Sequence, residues 1–519
     1  MKNTTVRYLC LGVMLLGLPM FSCSDYFEPS QDLIQEREEH YNSFDKVRRA
    51  TVGVYAGFQN LVEPMVVMGG LRADLMTTTR NLDADLREIE SLKVSKGNPY
   101  ASPRPFYDVI LNCNDALANM EKSLDDPRMT ERQYAAFEAE FKTVRAWTYF
   151  QLAQMYKEVP VITGAVNGFF PGYEPERYDF PKMVNWLIEE MIWANEQPIL
   201  EWTTKDDSGK EILQPWRKVF INRNAFLGEL FLTIGEYREA SSLFRKCIID
   251  DGGGDENEEH KCNLESGVSN WENHWKRVND GDSRLEHIST IPFDRTKNQT
   301  HDLLRLFSNS SIYDYLLKPS TLAVNIWESQ RPAESIFPDG DRYRGEDVSY
   351  SVFDIDTVVS KYGARDAVFA IYRAADVHLL LAEAENRMSN TDIALGILNS
   401  KLNDSPLTDG IRGRVRLKHV TMDALKERYS GIDNEVELVE QALIEERALE
   451  LAFEGRRWND LVRFAYRAGK PEWLAKRVAS KFRGKDPMKA SELEAKLLNV
   501  SEWRLHMPEL DILEKESSN

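Results

Sequence analysis

Between Glu131 and Tyr156 the chain sets Ala136, Phe141, Val144, Ala146, Tyr149, Leu152 and Met155 mostly three positions apart, with no proline or glycine between them. That period fits one face of a helix and fits no strand. Val159-Pro160 closes the segment, because proline has no amide proton to continue it. The spacing recurs from His40 to Leu61 through Phe44, Val47, Ala50, Val52, Val54 and Phe58. It recurs again from Phe106 to Leu124 through Val109, Cys113, Ala116, Leu117 and Met120. The chain is therefore expected to build an all-α scaffold, with helices at 40–61, 106–124, 131–156, 223–248 and 372–388.

Two segments resemble tetratricopeptide repeats. The first runs from Asn224 to Ala240, where small residues at Ala225, Gly228 and Ala240 permit close helix contact. Gly235 ends its first helix, and Tyr237 fills the turn. The second runs from Ala375 to Arg387 and continues from Thr391 to Leu402. Stacked helical hairpins of this kind usually present a binding surface rather than a catalytic one.

From 251 to about 365 the helical period stops. The stretch is rich in Asn, Asp, Ser, Gly and Pro, yet its Trp271, Trp275, Phe293, Phe307, Tyr313, Tyr315, Trp327, Phe337 and Tyr343 argue against disorder. It reads as an irregular insert laid over the helices, and loops placed by a rigid scaffold commonly carry binding groups. A smaller insert spans 161–180.

The first residues have the layout of a secretory signal: Lys2 and Arg7, an apolar run from Tyr8 to Phe21, then Ser22-Cys23. The apolar run is shorter than a bilayer-spanning helix needs. A cysteine directly after the small residue marks a lipoprotein signal, its thiol taking the first acyl group and its freed amine another (a palmitate-type anchor). Several chains hold a membrane more firmly than one. Residues 1–22 are thus expected to leave, Cys23 to carry lipid, 23–39 to form an acidic tether, and 40–519 to form a single domain. No basic residue follows Cys23 until Arg37.

The formal net charge is −19, and losing Lys2 and Arg7 makes it −21. So acidic a chain lacks the broad basic face that nucleic acid requires. Of five cysteines, Cys10 leaves and Cys23 is acylated; Cys113, Cys247 and Cys262 are too few for a disulfide framework and form no metal pair. Pairing of Cys247 with Cys262 stays open. The acidic runs at 250–256 and Asp339-Gly340-Asp341 lack EF-hand spacing. No zinc motif, phosphate loop or Ser-His-Asp set is present, so neither metal nor cofactor is expected.

Near the C-terminus, Glu445-Glu446-Arg447-Ala448-Leu449-Glu450-Leu451-Ala452-Phe453-Glu454-Gly455-Arg456-Arg457-Trp458-Asn459-Asp460-Leu461-Val462-Arg463 reads as an amphipathic helix dense in opposite charges. Arg447, Glu450 and Glu454 share a face by spacing. Gly455 ends or bends the helix, and Trp458 and Leu461 fold the segment back on the core. Paired carboxylates invite a catalytic reading, but balanced by arginines on one helix they read as a structural ion network.

The order of these residues resembles the signature of the SusD/RagB family of nutrient-binding outer-membrane lipoproteins. Phe141 to Leu152 with Tyr156 to Thr163, Tyr372 to Ala384, and Leu505 to Ile512 are similar to three further segments of that family, in the same order. The resemblance implies an all-α, SusD-like fold of four tetratricopeptide-type helix pairs, with the ligand site on the irregular insert. It implies a cell-surface protein, anchored by Cys23, that captures an oligosaccharide (in some members a peptide). The ligand then passes to a SusC-like, TonB-dependent barrel, and the capturing protein performs no catalysis. A secreted glycoside hydrolase and a scaffold binding only proteins are the competing functions.

Binding residues do not carry over by motif. Leu71-Arg72-Ala73-Asp74 resembles a segment near the family's ligand site, but no tryptophan lies between 62 and 146, where some members place a stacking ring. Sugar rings call for flat aromatic faces and a few orienting polar groups. The candidates are Trp271, Trp275, Trp327 and Tyr343 for stacking, Tyr100, Phe106 or Tyr107 as a substitute ring, and Arg72, Asp74 and Asn98 for hydrogen bonds. The alternative for each tryptophan is to anchor the insert on the helices. The ligand is expected to meet residues of 270–345 together with some from 70–107.

Overall fold

The computed structural model describes residues 37–81, 83–165, 175–200, 203–205, 211–213, 218–250, 264–265, 268–279, 286–310, 312–333, 339–346, 348–353, 356–399 and 410–508. The signal, Cys23, most of the tether, the run at 251–256, Cys262 and the end of the closing segment lie outside them. The molecule is all-α in class. Long helices occupy Phe44–Gly57, Arg104–Asn119, Glu131–Met155, Phe180–Glu196, Arg223–Ile234, Tyr237–Arg245, Ala374–Arg387, Thr391–Asn399, Glu435–Leu451, Arg457–Ala468, Glu472–Ser480 and Pro487–Leu497. Sheet is confined to two-stranded pieces among the described residues.

The helices stack in chain order. Glu131–Met155 packs between Arg104–Asn119 and Phe180–Glu196, the latter meets Arg223–Ile234, and Tyr237–Arg245 meets Ala374–Arg387, which packs on Glu435–Leu451. Thr130 opens the longest helix with a capping box, its side chain accepting from the Gln133 amide. The central helices bury nearly every face: Ala374–Arg387 is buried from Ala374 to Asn386. Hence they carry less of a one-sided stripe than surface helices do.

The span 223–248 is two helices, as Gly235 implies. Gly235 takes φ +95° and caps the first helix, so the chain turns at once into Tyr237–Arg245. A Cβ on Gly228 would stand 2.7 Å from the Phe244 ring, so the hairpin closes only over glycine. The first helix is shorter than its pattern: 3-10 turns take over at Phe58–Leu61, and Val52 is 40% exposed rather than core.

The insert is more ordered than its composition implies. It holds the helices Val268–Asn279 and Thr321–Glu328 and several short strands. Two antiparallel pairings fasten it to the scaffold. His287–Ile291 pairs with Phe369–Arg373, directly before a scaffold helix. Leu317–Pro319 pairs with Met76–Thr78, in the register Met76↔Pro319, Thr77↔Lys318, Thr78↔Leu317. The second pairing brings the N-terminal 76–81 loop against residues 314–319. No described helix is long and apolar enough to cross a membrane.

Candidate functional site

Most charged residues of the C-terminal motif are buried and paired. Glu450 accepts from Arg373 Nη1 at 2.7 Å, Arg414 Nη2 at 2.7 Å and Arg344 Nη1 at 3.0 Å. Burial works to raise its pKa, but the three guanidiniums outweigh it and hold the carboxyl well below the usual range. Arg373 also bonds Glu454 and Glu286, Lys361 bonds Glu454 at 2.8 Å, and Glu446 takes Arg344 and Arg412. Arg344 reaches Asp341 at 2.6 Å, and Arg414 also contacts Glu286.

A second network joins Arg447 to Asp376 at 2.7 Å and to Asp460 at 2.8 Å, and Arg463 to Glu383 at 2.8 Å. Arg447 and Glu450 thus serve different networks although they share a helix. Glu454 is not on that helix at all, because the helix ends at Leu451 and Gly455 turns with φ +75°. Trp458 and Leu461 are each 1% exposed, so the motif does fold back on the core.

The 71–76 segment belongs to the same interior. Asp74 holds Arg457 through two bonds of 2.8 Å. The Arg72 guanidinium lies 4.0 Å from the centre of the Trp458 ring and donates to the Trp503 carbonyl at 2.6 Å. Burial pushes Arg72 down to about 9. Lys481 Nζ bonds the carbonyls of Leu71 and Ala73, each at 2.7 Å. Arg72 and Asp74 are 1% exposed and committed to these partners, which corrects the expectation that they face a ligand.

The other candidates divide. Trp327 is 2% exposed, donates to the Leu449 carbonyl at 3.2 Å, and packs between Tyr350 and Phe453. Trp275 is 4% exposed and meets Tyr362 edge-on at 5.8 Å. Neither ring has a free face, so both anchor the insert and neither is placed to stack on a sugar. Tyr343 packs against the core as well. Asn98 is buried, caps the 99–101 turn through the Tyr100 amide and donates to the Asp85 carbonyl at 2.9 Å. The Trp271 side chain lies outside the described residues. Of the acidic pair at 339–341, Asp339 pairs with Arg331 and Asp341 with Arg344.

Tyr100 leads somewhere else. Its hydroxyl accepts from Arg305 Nη2 at 2.9 Å, and Glu63 accepts from the same nitrogen at 2.7 Å. Arg305 lines a cleft of about 210 Å³ with His301, Asp302, Leu304, Ile312, Tyr313, Asp314 and Arg365. Backbone bonds set its walls: Leu316 N–H donates to the Leu306 carbonyl at 2.9 Å, and His301 N–H to that of Arg365 at 3.0 Å. Asn81 Nδ2 reaches across from the N-terminal loop to the Tyr315 carbonyl at 3.0 Å, and Arg80 beside it is exposed.

Burial draws the Arg305 pKa down, yet the bond to Tyr100 and the charge of Glu63 prevail, so it stays charged. Burial pushes His301 down to about 4, leaving a neutral ring. Ile312 is 78% exposed, and Tyr313 is half-exposed at the rim. The cleft therefore offers one open aromatic ring, two cations, two carboxylates and a neutral imidazole. The sequence marked Tyr313 only as one insert aromatic among nine; nothing local singles out Arg305 or Arg365.

A stack of helical hairpins with an irregular insert fastened to it by two short strand pairings is the frame of a helical-repeat protein. The SusD family model matches residues 349–501. A curated relative, SusD-like protein P38 of Formosa agariphila, is 21% identical over 89% of this chain and 91% of its own. A SusD superfamily structure from Bacteroides thetaiotaomicron aligns with TM-score 0.65 and 19% identity, covering 87% of this chain and 98% of that one. Another from Bacteroides vulgatus gives 0.65 and 17%, covering 91% and 97%. A laminarin-binding SusD-like protein gives 0.56 and 16%, covering 88% and 98%. Residues 349–501 are thus similar to the SusD family, and the chain as a whole shares the fold of these structures.

Proposed function

We propose that this protein captures an oligosaccharide at the cell surface, in the cleft bounded by His301, Arg305, Tyr313 and Arg365, and delivers it to a SusC-like, TonB-dependent transporter without catalysing a reaction. The observation that carries the reading is the joining of Met76–Thr78 to Leu317–Pro319, which sets the 76–81 loop beside a polar cleft with one open ring. A sugar ring lays its C–H face on Tyr313, while Arg365, Asp302 and Asp314 fix its hydroxyls. Tyr100 and Glu63 keep Arg305 in place behind them. The laminarin-binding relative supports a glycan over a peptide.

Affinity electrophoresis on a panel of polysaccharides tests this. One or more glycans should retard the protein, Tyr313→Ala and Arg365→Ala should each lose most of that retardation, and no reducing sugar should be released. Retention unchanged in both variants would place the site elsewhere, and sugar release would make the protein a hydrolase.

The membrane anchor proposed at Cys23 has its own test. Cys23→Ala should free the protein from the membrane fraction or leave its signal uncut. Fractionation and processing identical to the parent would remove the anchor from this account.

A further inference from the structure

A second cleft, of about 150 Å³, lies between the start of helix Phe180–Glu196, the end of Arg223–Ile234 and the outer face of Arg457–Ala468. It shares no lining residue with the cleft beside Tyr313. Phe180, Pro181, Val462 and Tyr466 form an apolar wall, and Tyr466 is 56% exposed. Against that wall stand Arg463, Arg467 and Arg504.

Only Arg463 meets carboxylates, those of Glu383 at 2.8 Å and Asp460 at 3.0 Å. Arg504 lies 3.8 Å from the centre of the Phe180 ring and donates through Nε to the Ala153 carbonyl at 3.0 Å. Among the described residues neither its terminal nitrogens nor any nitrogen of Arg467 pairs with an acid, and the Arg467 Nε is buried without a hydrogen bond. Burial pulls both guanidiniums down, Arg504 to about 10.

A half-buried cation with no counter-ion is costly. It is the more telling in a chain with 84 acidic residues: among the described ones Glu383 acts on Arg467 through its charge, but it is itself paired with Arg463. Asn459 donates to Gln154 at 2.8 Å, so the carbonyl of the first and the amino group of the second are left to a guest.

We propose that this cleft binds a sugar acid, its carboxylate held by Arg467 and Arg504 and its ring laid against Tyr466. Two guanidiniums lining one small cleft suit a carboxylate. The exposed phenol ring suits a C–H face. The free amide groups suit hydroxyls, which an isolated acidic side chain of a protein does not offer. The volume is below the roughly 300 Å³ at which drug-sized pockets begin, so the cleft takes one ring.

Calorimetric titration of the full chain with galacturonate and glucuronate decides the matter, with galactose, glucose, acetate and an acidic peptide as comparisons. One of the sugar acids should bind at least about tenfold more tightly than its neutral parent, and binding should weaken with salt. Arg467→Gln and Arg504→Gln should each weaken it by about tenfold, and Tyr466→Ala by several-fold. Arg467 and Tyr466 are half-buried and exposed, so their variants decide the question even if Arg504→Gln does not fold. Equal binding of the neutral sugar overturns the proposal. So does acetate or the acidic peptide binding as tightly as the sugar acid, variants that bind as the parent does, or no binding at millimolar concentration.

Discussion

Glu450→Ala should destabilise the fold by about 3–5 kcal/mol, the range for removing one member of a buried ion pair. Glu450 is fully buried and touches Arg344, Arg373 and Arg414 at 2.7–3.0 Å. Among the described residues its network sets Arg344, Lys361, Arg373, Arg412 and Arg414 against Glu286, Asp341, Glu446, Glu450 and Glu454, five charges of each sign. Without the carboxylate, three guanidiniums stay in the interior with one acid too few. Glu445→Ala is the contrast: that residue is half-buried and pairs with an exposed Arg428, so its loss should cost under about 1 kcal/mol. Denaturant unfolding measures both. A Glu450 variant within about 1 kcal/mol of the parent would show that the network contributes no net stability.

Gly69→Ala should be comparably damaging, by about 3 kcal/mol or more, at the upper end of what overpacking costs. A Cβ there would stand 1.8 Å from the carbonyl oxygen of Gly455 and 2.7 Å from its carbonyl carbon. Both are backbone atoms, so no rotamer change relieves the contact. Gly455 has φ +75°, and a Cβ on it would meet the Met65 carbonyl at 2.9 Å. The two glycines let the Val67–Leu71 turn sit directly on the turn that follows helix Glu435–Leu451. Gly53→Ala, inside helix Phe44–Gly57 with nothing within 4 Å, should instead be neutral or stabilising by about 0.5–1 kcal/mol. Thermal and chemical unfolding of the two variants side by side checks this. A Gly69 variant as stable as the parent would mean that the turns can part without loss.

These two sites explain why the family resemblance was legible. The segments 141–163, 372–384 and 445–463 are far apart in the chain, yet they supply much of the buried ion pairing. Arg373 joins Glu450 and Glu454, Asp376 joins Arg447, Glu383 joins Arg463, and Arg145 joins Glu190 at 2.7 Å. A buried charge needs a partner of fixed identity at a fixed place. Such residues therefore stand out in a sequence, and they do so for stability rather than for ligand contact.

Local rules set the scaffold. Period marked helices such as Glu131–Met155 and Ala374–Arg387 to within a few residues, since it depends on neighbours three and four positions away, while Phe180–Glu196, Glu472–Ser480 and Pro487–Leu497 went unread. Gly235 and Gly228 marked a close hairpin for the same reason. The sequence also marked 251 to about 365 as the irregular part of the molecule. What it left open was which aromatic rings face outward. Trp275, Trp327 and Tyr313 are alike in composition and setting, but two are enclosed by Tyr362, Tyr350 and Phe453 and one stands at a rim. That difference is made by the pairing of residues 76–78 with 317–319 and by chain brought in from 365, contacts between residues tens to hundreds of positions apart. Exposure is a property of the whole packed volume, so only the tertiary structure decides it.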